Sequence, residues 1–115
     1  MKEFLLLLRG NPSDNAHLSP EQIQAQLKRW RDWIGQIAAT GNMLGAQPLE
    51  NSGKVMRGPS KKITDGPFME GKEVLGGYVL LKAKSIDDAI KTGEGCPILE
   101  AEGGTVEVRE IGVMG

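Results

Sequence analysis

EFLLLLR, Glu3 to Arg9, sets five apolar side chains in a row between two charges. The turn cluster GNPSDN follows at once, so the run has the length and flanks of a strand rather than a helix. Side chains of a strand point alternately to the two faces of its sheet, and a strand with one wet face reads apolar, polar, apolar. An unbroken apolar run instead carries side chains to both faces and asks for both to be covered. GGYVLLKA, Gly76 to Ala83, repeats the pattern and marks a second dense strand.

Between them, HLSPEQIQAQLKRWRDWIGQIAATG predicts one long helix. Ser19 is its N-cap, Pro20 suits the first helical position, Gln22 completes a capping box, and Leu18 with Ile23 forms a hydrophobic staple. Ile23, Leu27, Trp30, Ile34 and Ile37 recur at steps of three and four and draw an apolar stripe, which Trp33 widens. Gly41 is the stop.

From Met43 to Thr64 the chain reads as short strands and turns, with a hairpin around GPS whose Arg57, Lys61 and Lys62 make a small basic patch. Ser85 caps a short helix with Asp87 and Asp88 in its first turn. GGTVEVREIGV then alternates as a strand with one dry face. The order predicts an α+β, ferredoxin-like βαββαβ domain with an inserted β-hairpin. Two helices of about 10 Å diameter cover one side of a four-stranded sheet about 19 Å wide and leave nothing for the other. A second copy packed face to face is the expected cover, making a homodimer. The alternative is that Met43 to Lys62 folds back over the open face.

A length of 115 residues predicts a single domain, residues 1–115. Fourteen Lys and Arg stand against fifteen Asp and Glu, so no net field draws in nucleic acid or an anionic membrane. The single cysteine, Cys96, has no internal disulfide partner, and no Cys/His cluster suggests a metal or a cofactor. The apolar run near the start is too short for a signal peptide or a membrane span. A soluble, cytoplasmic, unprocessed chain is the expectation.

TDGPFMEGKEVLGGY (Thr64–Tyr78), GCP (Gly95–Pro97), the final GGTVEVREI, the SPEQ helix start and the RWRDWI segment together resemble the YCII-related DGPF-domain family. The likeness runs over nearly the whole chain. It implies a ferredoxin-like fold, assembly as a dimeric α+β barrel, and no established reaction. The broader YCII group is associated with enzymatic activity centred on a His and Asp pair, and some relatives are joined to sigma-factor-like regions, a link to transcription.

For such a pair the chain offers Asp65, with His17 a distant second because its spacing does not reproduce the group's motif. Asp65 also reads as an Asx-type turn before Gly66 and Pro67. Phe68 reads as an apolar anchor, Glu70 and Glu73 as a polar rim, Tyr78 as a hydroxyl within a pocket, and Arg9 as an anchor for a carboxylate or a partner for an acid. Cys96 reads as packing, not as a nucleophile. Two classes of function follow: a dimeric, small-molecule-binding or enzymatic domain with its pocket near the DGPF loop, or a noncatalytic regulatory or protein-interaction module linked to transcription.

Overall fold

The computed structural model describes residues 1–114, Glu70 through its backbone alone. The elements run β1 (Lys2–Gly10), α1 (Pro20–Ala39), β2 (Met43–Pro48), β3 (Gly53–Arg57), β4 (Lys62–Gly66), β5 (Met69–Glu70), β6 (Glu73–Ala83), α2 (Ile86–Gly93) and β7 (Thr105–Glu110). Strands β2, β6, β1 and β7 lie side by side in that order, each antiparallel to its neighbours. Both helical crossovers therefore skip a strand, which is the split βαβ arrangement of a ferredoxin-like fold. The inserted hairpin is present as a separate two-stranded sheet of β3 and β4.

The register shows why an unbroken apolar run suits β1. Phe4 and Leu6 sit opposite Leu81 and Val79 on one side, and Leu6 and Leu8 sit opposite Val108 and Val106 on the other. These side chains share one face and meet Trp33, Ile37 and Ala89 from the helices in a single core. Phe4, Leu6, Val79 and Leu81 are fully buried, and removing such a side chain from water contributes about 1.5–3 kcal/mol. Leu5 and Leu7 point the other way, opposite Leu80 and Tyr78. All four stay half-buried and outside the core.

Helix α1 starts as its sequence predicts. The Ser19 hydroxyl accepts from the Gln22 N–H at 3.2 Å, and the Gln22 side chain accepts from the Ser19 N–H at 2.8 Å. Its second half is held firmly: the Trp33 indole donates to the Thr92 carbonyl at 2.9 Å, which ties α1 to α2. The apolar stripe does not stay buried along its whole length, however. Trp33 and Ile37 are buried whereas Ile23 and Leu27 remain exposed. The sheet beneath that end presents Ala46, Gly76 and Gly77, which lack the bulk to fill the space under the helix.

The molecule is a slab of 49 × 44 × 20 Å. One sheet and one helical layer account for the thin dimension, but four strands span only about 19 Å across. The hairpin supplies the remaining breadth. Leu49 donates to the Gly76 carbonyl at 2.9 Å, and β5 pairs with the start of β6 on the flank opposite β1. Both legs of the hairpin therefore leave from the flank that β2 occupies, and the hairpin extends outward as an arm. It does not fold back over the open face of the sheet.

Candidate functional site

The structure separates the residues that the sequence nominates. Arg9, Glu73 and Tyr78 stand on one face of the sheet, the open one. Tyr78 reaches it because Leu7 is its cross-strand partner. Glu73 and Leu75 reach it because the register shifts between Leu8 and Arg9, so that Gly76 stands as an extra residue and Arg9 faces Leu75. Arg9 is already engaged: its Nη1 donates to Glu107 Oε1 at 2.6 Å, with Arg109 Nη1 at 3.4 Å from the other carboxylate oxygen. The hydrogen bond from Arg9 holds the Glu107 carboxyl below its ordinary range, and Arg109 adds to the effect. Of the two roles open to Arg9, the structure shows the pairing with an acid.

Asp65 and Phe68 lie instead on the arm and its base. Asp65 does not form an Asx turn. The β3–β4 ladder continues through Gly53 and Gly66, so Asp65 is still strand, opposite Lys54, with which it forms an ion pair. Its side chain is 87 % exposed. Phe68 is exposed rather than anchored in a core, and the Arg57 guanidinium lies 5.6 Å from the centre of its ring. The side chain of Glu70 falls outside the described residues. His17 sits in the exposed loop ahead of α1, and Asp65 pairs with Lys54, not with His17. Cys96 is buried, and burial pushes its thiol up to about 11, so it packs as a neutral group.

The largest described concavity was not legible as a motif. Beneath the raised half of α1 lies a groove of about 660 Å³, walled by Leu8, Leu27, Trp30, Ile34, Ala46 and Ile98, with Arg31 as its polar side chain; Gln47, the cross-strand partner of Tyr78, turns its side chain to the other face. Tyr78 also borders it, but the register turns its side chain to the opposite face, so its backbone is what meets the groove. A recess of about 160 Å³ continues past Trp30 and Gly76 to Asn11, Asn15 and Asn51. The signal for this groove was present in the sequence as large side chains on α1 facing the pair Gly76–Gly77. It takes the register to see that they face each other.

These features define a small α+β domain of ferredoxin-like topology with an apolar groove under its first helix. The chain belongs to the YCII-related domain family, whose model matches residues 3–114. Among curated proteins none matches it. Among solved structures it is similar to 5-chloro-2-hydroxyhydroquinone dehydrochlorinase from Burkholderia phenoliruptrix AC1100, in complex with 2,5-dihydroxybenzoquinone, at 14% identity and a TM-score of 0.47, over 93% of this chain and 90% of that one. That structural neighbour is an enzyme. No helix of the described residues is long and apolar enough to cross a membrane.

Proposed function

We propose that this chain is a homodimeric domain that binds a small, mostly apolar organic molecule in the groove beneath α1. The observation that carries the reading is the groove itself. Its volume of about 660 Å³ lies in the range of about 300–1,000 Å³ common to small-molecule sites, and such sites combine apolar walls with few polar groups. Here the polar side chain is Arg31. A guanidinium suits a ring or short chain that ends in one acidic oxygen function.

Binding has better support than catalysis. A general acid or base must come within about 3 Å of the proton it moves, and neither Asp65 nor His17 lines the groove or its recess. The homodimer rests on the open face, where Leu5, Leu7 and Leu80 form an apolar centre with Arg9, Glu107 and Arg109 beside it. An apolar core inside a polar rim is the anatomy of a protein interface, and two such sheets can stack about 10 Å apart.

The test is a thermal-shift series with aromatic and short aliphatic carboxylic acids, together with light scattering at micromolar concentration. Gly35 lines the groove, and a side chain built there meets nothing within 4 Å. Gly35→Leu should therefore fold normally and block the groove. The expected result is a dimer mass and a Tm raised by at least one acid in the wild type, with the response lost in the variant. A monomer mass removes the homodimer; a panel without any response, or an equal response in Gly35→Leu, removes the ligand site.

A further inference from the structure

Resting on the homodimer reading above, we infer that the β3–β4 arm reaches across to the second copy of the chain and clasps it. An isolated two-stranded hairpin is at best marginally stable in water and needs a surface to pack on. This one leaves the body at the edge of the sheet and presents a bare apolar pair: Met56 and Ile63 are cross-strand partners, 64 % and 59 % exposed. Cross-strand partners stand on the same face of a ladder. Phe68, beside Arg57, lies on the other face of the arm, and it and Met69 near the base are exposed as well.

Area argues that the surface it meets is a second copy. The open face, four strands wide and about six residues long, has a flat footprint of roughly 400 Å² per protomer at ordinary strand spacings. A stable interface takes about 800 Å² of accessible surface from each partner. Side-chain relief raises the accessible area above the footprint, and face-to-face stacking alone lies at the low end of stable interfaces. A laterally projecting arm, lying alongside the flank of the stacked partner, adds apolar surface where it is needed.

Charge argues the same way. Residues 53–66 hold Lys54, Arg57, Lys61 and Lys62 against Asp65, a net +3, while the rest of the chain has ten cations against fourteen acids, a net −4. The arm is cationic and the body anionic, so the arm of one copy is attracted to the body of another. Lys61 and Lys62 at the turn are exposed, in position to meet the partner's acids.

Sedimentation equilibrium and hydrogen exchange on the full chain test the clasp. The comparison uses wild type, Met56→Ser/Ile63→Ser, Lys61→Glu/Lys62→Glu, and Leu7→Glu as a disruption of the sheet face, each checked for native circular dichroism. The expected result is a wild-type dimer whose arm amides exchange more slowly than in the diluted monomer. Both arm variants should raise the dimer Kd at least tenfold, the charge reversal should also reduce its salt dependence, and Leu7→Glu should be monomeric. Unchanged Kd in both arm variants, with arm exchange independent of concentration, overturns the clasp and leaves the homodimer standing. Arm protection that persists in the monomer assigns the arm to its own chain and overturns the clasp too. A monomeric wild type overturns both readings.

Discussion

Arg9 on β1 and Glu107 on β7 meet on the open face of the sheet, 2.6 Å apart, with the arginine the more buried partner. Because the guanidinium holds the Glu107 carboxyl below its ordinary value of 4.5, the native state favours the ionised form more than the unfolded chain does. Stability from this pair is fully present above about pH 4.5 and is lost as pH falls through the lowered folded value. Melting temperature should therefore decline on acidification, and Glu107→Gln should flatten that part of the profile. Arg9→Met should return the Glu107 carboxyl toward its ordinary titration, read by carboxyl-carbon NMR. Identical acid limbs in wild type and Glu107→Gln would show that the pair is not coupled to folding.

Cys96 gives the opposite dependence at high pH. Burial raises its thiol from 9.0 to about 11, so between those values the unfolded chain releases a proton that the folded one keeps. Stability should fall as pH rises through that window, and Cys96→Ala should remove this component of the alkaline loss. The native thiol should also react with a disulfide reagent only as fast as the protein opens, a rate that added denaturant raises.

Gly104 is a position where backbone, not a side chain, decides the outcome. A Cβ there would stand 1.8 Å from the Ile98 carbonyl oxygen, and neither partner is a flexible side-chain end. Gly104→Ala should cost more than ~3 kcal/mol, a large share of the stability of a small domain. Gly45→Ala, where nothing lies within 4 Å, is the matched control and should stay within ~1 kcal/mol. Urea unfolding of the two variants measures the difference.

The parts of the fold that were legible in the sequence are those governed by local periodicity. FLLLL and YVLL announce strands with apolar groups on both faces, and the Ser19–Gln22 capping box appears where its spacing predicts it. What was not legible depends on distance and register. The stripe on α1 gives the direction in which the helix faces but not its height above the sheet, so the exposure of Ile23 and Leu27, and the groove below them, could not be read from it. The DGPF tetrapeptide carries turn chemistry, yet pairing through Gly53 and Gly66 keeps Asp65 in the strand. Asp65 and His17 were grouped by residue type, while the chain path puts one on the arm and the other before α1.

Asp65 brings the location of the site to a direct test. Its ion pair with Lys54 is solvent-exposed at both ends, and exposed pairs contribute about 0–1 kcal/mol. Asp65→Asn should therefore leave unfolding free energy within that margin. It lies outside the groove and its recess, so the thermal shift produced by a groove-binding acid should persist at full size in Asp65→Asn while it vanishes in Gly35→Leu. The reverse pattern, a ligand response lost in Asp65→Asn and kept in Gly35→Leu, would move the binding site from beneath α1 to the arm and would place the DGPF segment itself in contact with the ligand.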